Sequence, residues 1–215
     1  MKTFMAVIFL LHFKILAFSQ DTKLTIGVNG SPSFYNLKAS KGFDHQYIYD
    51  NPKFRSGIDL SYYFYKKSSI STGLFYFRIG YKVDYVFIFR DQGDPLIPKY
   101  SEIKTNYLDI PVIYNTTLLS KEKFSIYSST GIVASILISS FDQTTFENNS
   151  VRNSKFSNSF LFSFQLGSGL KYNLSEKFSI KIEPQYRLFF KGFDKLMTQY
   201  PSVFNGTFGI IYVLK

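Results

Sequence analysis

The feature of this sequence that most constrains its fold is an alternation of apolar and polar residues with a period of two, kept up over long segments. Residues 177–190, KFSIKIEPQYRLFF, show it most clearly. Every second residue from Phe178 to Phe190 is apolar or proline, and polar or charged residues fill the positions between, except at Phe189. Successive side chains of a β-strand point to opposite faces, so this segment predicts a strand with one apolar and one polar face.

The same period recurs along most of the chain, and no segment after residue 19 shows convincing helical periodicity. Eight segments carry it. Several run to about 10–15 residues, whereas strands of soluble proteins are most often about 5–6 residues long. The sequence therefore predicts an all-β fold of eight antiparallel strands. The predicted strands are residues 23–33, 54–65, 72–85, 102–118, 123–139, 160–174, 177–190 and 203–214.

Short and long connections between the predicted strands alternate strictly. This order is typical of an up-and-down barrel with tight turns at one mouth and long loops at the other, which is the arrangement of outer-membrane barrels. The strands are also long enough, since a tilted membrane-spanning strand needs about 9–11 residues. The short connections are residues 66–69, 119–122 and 175–176, and the long ones are near 34–52, 86–100, 140–157 and 191–202.

The pattern of faces by itself leaves two interpretations open. A secreted, lipocalin-like barrel buries the apolar face around a ligand, whereas a membrane barrel turns that face to lipid and lines its lumen with polar residues. The composition favours the membrane, because 25 Phe and 17 Tyr make 20% of the residues aromatic. Aromatic side chains gather where a membrane meets water, although this chain has no Trp. We therefore predict a transmembrane β-barrel.

The N-terminus predicts export. Lys2 supplies a positive charge, Phe4–Leu11 is an unbroken apolar run, and Ala17-Phe18-Ser19 offers small residues at a cleavage site. The apolar stretch is shorter than the roughly 20 residues that a transmembrane helix needs. We expect a signal peptide at residues 1–19, cleaved near Ser19, and one barrel domain at residues 20–215. Loss of two lysines with the signal peptide lowers the formal net charge from +10 to +8.

Charged residues concentrate on the face opposite the apolar one, which in a membrane barrel lines the lumen. An eight-stranded barrel is just wide enough for its own side chains to fill, and buried charges are stable only when paired. We therefore predict a structural network of ion pairs that plugs the lumen, with a narrow pore as the alternative. The predicted lumen charges are Arg55, Asp59, Arg78, Lys82, Lys181, Glu183 and Arg187.

Two prolines, Pro111 and Pro184, fall in the middle of predicted strands. Each removes a backbone donor from the strand ladder, and a closed barrel offers no free edge where that donor would be dispensable. We expect a β-bulge, or a position near a barrel rim, at both prolines.

One short run gives the sequence a family resemblance. Residues 106–112, NYLDIPV, resemble a YLEIP(L/V) strand of the PorT-like outer-membrane β-barrels common in Bacteroidota. Gly131, Gly167 and Gly169 in later strands and the closing FGIIYVLK also fit. The resemblance implies an eight-stranded outer-membrane barrel, and for a few members it implies an accessory part in protein secretion. The most specific motif residues are Tyr107, Leu108, Asp109, Ile110 and Pro111.

Composition and motifs exclude most chemistry. The absence of cysteine excludes disulfides, thiolate metal sites and a cysteine nucleophile. A lipid-modifying enzyme with His45 as its base is an alternative, but no motif joins His45 to a serine and a carboxylate. We predict no catalytic activity, no cofactor and no metal.

The partners follow from location and charge. We expect outer-membrane lipid around the barrel, contact of the basic long loops with anionic lipopolysaccharide, and the barrel-assembly machinery during biogenesis. Nucleic acid is not expected, because the basic residues are interspersed with acidic ones. We predict an integral protein of the bacterial outer membrane with a structural or surface-interaction role.

Overall fold

Ten β-strands account for most of the chain that the structure describes. The computed structural model describes residues 23–36, 45–49, 52–85, 98–146, 149–154, 157–193 and 200–214. The predicted signal peptide lies outside them. The strands are β1 (Lys23–Asn36), β2 (His45–Tyr49), β3 (Lys53–Tyr65), β4 (Ser68–Tyr85), β5 (Pro98–Ser120), β6 (Phe124–Phe146), β7 (Val151–Ser154), β8 (Phe160–Asn173), β9 (Phe178–Phe189) and β10 (Ser202–Val213). No helix within the described ranges is long and apolar enough to cross a membrane.

Eight of these strands close into a ring of antiparallel pairs. Around the ring the order is β4, β3, β1, β10, β9, β8, β6 and β5. β5 then pairs back with β4, for example at Asn106 and Arg78. Strands that are neighbours in the ring follow each other along the chain, with only β2 or β7 between some of them. The one exception is the pair β1 and β10, where the two ends of the chain meet and close the ring. This confirms the predicted eight-stranded up-and-down barrel, in which every ring strand is paired on both sides.

Three ring strands are longer than the others and rise beyond them at the long-loop end. β5 and β6 have 23 residues each and β4 has 18, against 12–14 for the rest. β2 pairs with the end of β4, and β7 pairs with the end of β6. We call this extension the projecting wall: β2, β7 and residues 78–85, 98–106 and 139–146.

The predicted long loops at residues 86–100 and 140–157 therefore include residues that the structure places in strands. β5 already begins at Pro98, β6 continues to Phe146, and β7 lies within the second range. The physical reason is that both faces of these strand ends carry polar residues. Without a regular apolar face, period two is not visible in the sequence.

Apolar side chains point outward and polar side chains inward on most ring strands. On β9, for example, Ile180 and Leu188 are exposed while Ser179 and Gln185 are buried. β3, β8 and β10 follow the same arrangement. This confirms the membrane-barrel interpretation and contradicts the lipocalin-like alternative, in which the apolar face would be inside.

β4 reverses the arrangement in its long-loop half. Arg78 and Lys82 point outward, so their predicted place in the lumen is wrong. The alternation was predicted correctly, but a period of two does not tell which face is inside. The buried apolar side chains of this half-strand are those of Phe75, Phe77, Ile79, Tyr81 and Val83.

The exposed apolar residues form a belt around the barrel. On β9 the belt runs from Phe178 to Leu188. At about 3.3 Å per residue and a strand tilt of about 40°, this stretch gives a band about 25 Å tall, the height expected for an outer-membrane barrel. Tyr114 and Tyr172 are exposed near its short-turn rim and Tyr76 near its long-loop rim, as aromatic girdles require.

Neither Pro111 nor Pro184 lies at a bulge or a rim, so that expectation is wrong. The β4–β5 pairing skips the residues around Pro111 and resumes in the same register, as does the β8–β9 pairing around Pro184. Losing one donor is accommodated by a gap in a single ladder. The register shifts occur elsewhere, and one of them makes Ile138 an extra residue in β6, opposite the step from Asn106 to Tyr107.

Small residues on β8 make room for large inward side chains, which gives a test of the packing. A methyl group added at Gly169 would overlap the ring of Tyr127, whereas one added at Gly206 meets only Pro32 Cγ, at 3.9 Å. We expect Gly169→Ala to destabilise the barrel by about 1–3 kcal/mol through overpacking. Gly206→Ala should leave stability unchanged. Urea unfolding of the refolded barrel measures both, and equal midpoints would contradict this packing.

Candidate functional site

The long-loop half of the lumen is filled with apolar and aromatic side chains. Phe77 stacks on Phe189 with ring centroids 6.2 Å apart, and Phe193 meets Phe189 edge-on at 4.8 Å and Tyr35 at 6.2 Å. These rings are almost fully buried and occlude the lumen at this level. We call the whole cluster the apolar plug: Tyr35, Phe77, Ile79, Tyr81, Val83, Ile103, Tyr107, Leu161, Phe189, Phe193 and Val203.

Two loop segments fasten onto the plug at the long-loop mouth. The backbone N–H of Asn158 donates to the carbonyl of Phe193 at 3.0 Å, and its side-chain amide donates to the carbonyl of Gly192 at 2.8 Å. The Tyr107 hydroxyl donates to the Asn158 carbonyl at 2.8 Å. Residues 157–159 and 190–193 are thus fixed across the mouth.

Below the plug, one carboxylate lies between two guanidinium groups. Asp109 Oδ2 is 3.0 Å from Arg55 Nε and 2.7 Å from Arg187 Nη1. Ser135 donates to Asp109 Oδ1 at 2.5 Å, and Arg187 donates through Nη2 to Ser163 at 2.9 Å. Asp109 and Arg187 are 0% exposed and Arg55 is 3% exposed. We call these five residues the Asp109 cluster. Full burial makes its pairing obligatory, because a single unpaired charge there is strongly destabilising.

The arginines also join the Asp109 cluster to the rings around it. The guanidinium of Arg187 lies 5.0 Å from the centre of the Phe77 ring and 4.8 Å from that of Phe189. That of Arg55 lies 4.0 Å from the Phe75 ring. Cation–π attraction of this kind is strongest away from water.

Towards the short turns the lumen becomes polar and opens into a cavity of about 250 Å³, which we call the inner cavity. Glu183 accepts hydrogen bonds from Tyr127 at 2.9 Å and Ser129 at 2.5 Å. Lys181 Nζ lies 3.6 Å from Asp59 Oδ1. The cavity lining also includes Lys23, Lys66, Lys171, Ser69, Ser71, Asn115, Thr117 and Ser125.

A smaller cavity of about 40 Å³ lies between the Asp109 cluster and the inner cavity. Side-chain oxygens of Asn29, Gln165, Gln185 and Thr207 line it and have no hydrogen-bond partner within the described part of the chain. The volume and the polar lining suit an ordered water molecule that bridges these groups.

The structure brings five of the seven predicted lumen charges into the lumen, in two groups. Arg55 and Arg187 belong to the Asp109 cluster, and Asp59, Lys181 and Glu183 surround the inner cavity. Arg78 and Lys82 lie outside, as described above.

Asp109, predicted as a motif residue only, is also a lumen charge. The period of two carries the signal, since Tyr107, Asp109 and Pro111 share one strand face and all three are buried. Leu108 and Ile110 occupy the opposite, outward face.

A closed antiparallel ring with an apolar belt outside and buried, paired charges inside defines the class of protein: an integral β-barrel of the bacterial outer membrane. The chain belongs to the outer membrane protein beta-barrel domain family, whose model matches residues 5–210.

The chain is similar to several solved structures at low sequence identity. The Neisserial surface protein A structure is 8% identical, with 89% of this chain and 96% of that chain covered and a TM-score of 0.47. Outer membrane protein OprG from Pseudomonas aeruginosa is 13% identical, with 90% of this chain and 95% of that chain covered and a TM-score of 0.49. Ail, the attachment invasion locus protein of Yersinia pestis, was solved in complex with a heparin analogue. It is 11% identical, with 90% of this chain and 97% of that chain covered and a TM-score of 0.44. No curated protein matches the chain.

Neutralising the central carboxylate tests the Asp109 cluster. Asp109→Asn keeps the shape of the side chain but leaves two buried guanidinium groups without a counter-charge, and we expect it to cost about 3–5 kcal/mol of stability. Asp84→Asn, which breaks the partly exposed pair with Lys82, should cost at most about 0.5 kcal/mol. Urea unfolding in detergent measures both variants. Similar small losses in the two would show that Asp109 does not hold the lumen together.

Proposed function

We propose that this protein is a non-conducting outer-membrane barrel with a structural or surface-interaction role and no catalytic activity. The observation that carries the proposal is the apolar plug, which fills the lumen above the fully buried Asp109 cluster. An eight-stranded barrel has little room beyond its own side chains. Ions crossing it would have to displace tightly packed rings and pass a buried salt-bridge cluster.

One further observation supports the absence of catalysis in this proposal. The lumen carboxylates Asp59, Asp109 and Glu183 accept hydrogen bonds from Ser, Tyr, Asn or Arg. His45, the candidate base, has its backbone in β2 and its side chain outside the described part.

We further propose that the chain is a PorT-like member of its family. The support is the placement of the motif in the structure. Tyr107 fastens the loop segment at Asn158, and Asp109 neutralises two arginines. The inward motif positions thus hold the closed lumen together, which gives a physical reason for this residue pattern.

The projecting wall supports the surface role. It rises beyond the apolar belt at the long-loop end, the end that faces outward in barrels of this class. Just beyond the belt, Arg78, Lys82 and Lys104 lie on its outer face, where Lys82 also pairs with Asp84 and Lys104 with Glu102. Their position and charge suit the phosphate groups of lipopolysaccharide, which we propose as the lipid partner.

Reconstitution into planar bilayers tests the closed lumen. We expect no conductance steps from the barrel, since the apolar plug excludes hydrated ions. Insertion is verified by the heat-dependent mobility shift of folded barrels in gels, and an open porin serves as the positive control. Steps whose size changes in Arg187→Lys would overturn the proposal in favour of a narrow pore.

Thiol labelling on intact cells tests the orientation of the projecting wall. Because the chain has no cysteine, each single-cysteine variant carries one thiol. Arg152→Cys lies on β7 and Glu122→Cys in the exposed turn between β5 and β6. A membrane-impermeant maleimide should label Arg152→Cys on intact cells and Glu122→Cys only after permeabilisation. The reverse result would place the projecting wall in the periplasm.

A further inference from the structure

Lysines outnumber carboxylates in the lining of the inner cavity. Four lysines line it against two carboxylates: Lys23, Lys66, Lys171 and Lys181 against Asp59 and Glu183. Lys171 and Lys181 are direct cross-strand partners on β8 and β9, and both point inward. Like charges directly opposite each other weaken a sheet. Stability therefore does not explain why two lysines face each other here.

The two carboxylates are already engaged. Glu183 accepts hydrogen bonds from Tyr127 and Ser129. Asp59 accepts hydrogen bonds from Asn29 and from Ser61, and it lies beside Lys181. Lys171 instead lies 5.5 Å from the centre of the Tyr63 ring. Within the described part of the chain, neither Lys23 nor Lys171 forms an ion pair. Two ammonium groups therefore line the cavity without a carboxylate partner among the described residues.

The rest of the lining supplies neutral polar groups suited to an oxyanion. Hydroxyl and amide side chains of Ser69, Ser71, Asn115, Thr117 and Ser125 surround the space. The volume of about 250 Å³ is many times the roughly 10–15 Å³ that a cavity needs to hold one water molecule. That is room for one small anion with part of its hydration shell.

Within the described part of the chain, the Asp109 cluster and the apolar plug close the lumen above the cavity. A ligand therefore enters and leaves through the short-turn mouth. The exposed turns at this mouth add Lys67, Lys121, Lys123 and Lys177 against Glu122 and Glu176. This excess of positive charge attracts anions to the entrance.

We propose that the inner cavity is a binding site for a small oxyanion, a phosphate or a carboxylate group, held by the ammonium groups of Lys23 and Lys171. The site is separate from the projecting wall, and the proposal does not depend on the function proposed above. The bound anion supplies the negative charge that the Lys171–Lys181 pair lacks.

Calorimetric titration of the folded barrel in zwitterionic detergent at low ionic strength tests the site. One arm uses inorganic phosphate and the other succinate, which shows whether phosphate or carboxylate chemistry is preferred. We expect saturable binding in at least one arm, weakened about tenfold in Lys171→Met, because a hydrogen bond to a charged group is lost. Lys171→Arg should retain binding. Lys177→Met, which removes a turn lysine outside the cavity, is the matched control and should bind as the unaltered barrel does.

Three results would overturn the proposal. They are no saturable binding of either anion, binding that Lys171→Met leaves unchanged, and an equal loss in Lys177→Met, which would indicate diffuse attraction to the turns. Misfolding does not confuse the outcome, since Met has a similar length to Lys and its introduction removes a like-charge contact. The heat-dependent gel shift verifies folding of every variant before titration.

Discussion

The barrel depends on one buried electrostatic contact, the pairing of Asp109 with Arg55 and Arg187. Within the ring, backbone hydrogen bonds link each strand only to the two strands beside it. Asp109 lies on β5, Arg55 on β3 and Arg187 on β9, so this contact joins strands that do not touch along the ring. Its low-dielectric surroundings make the attraction strong and its loss costly. The aromatic rings above the arginines pack onto charges that are already held in place.

The Asp109 cluster also divides the lumen into two unlike compartments. On the long-loop side the interior is apolar, and its aromatic rings pack as in a soluble protein core. On the short-turn side it is polar, lysine-rich and open to solvent. A barrel with a continuous polar lumen would connect its two mouths. This one separates them, so that the projecting wall and the inner cavity lie on opposite sides of a closed lumen.

Much of the fold could be predicted from the sequence, because a membrane barrel imposes a simple rule on every strand. Period two on β9 predicted the strand and its faces, and alternating loop lengths predicted the topology. The same rule failed on β4, where the alternation fits either face and the lumen takes the apolar side as its plug. It also failed at the strand ends around Pro98 and Phe146, where neither face is apolar. Which lumen charges meet depends on the register between strands far apart in the chain, and one sequence does not show this.

The extra residue at Ile138 has a consequence for how such a barrel can change. It shifts the alternation of β6 by one position. Inward side chains before Ile138 and those after it, such as Asp142, therefore do not fall on one continuous period of two. Ile138 is thus a boundary between a lipid-constrained part of the strand and a part free of that constraint. Insertions or deletions after Ile138 can change the shape of the long-loop mouth. They leave unchanged which side chains of the membrane-spanning part face lipid and which face the lumen.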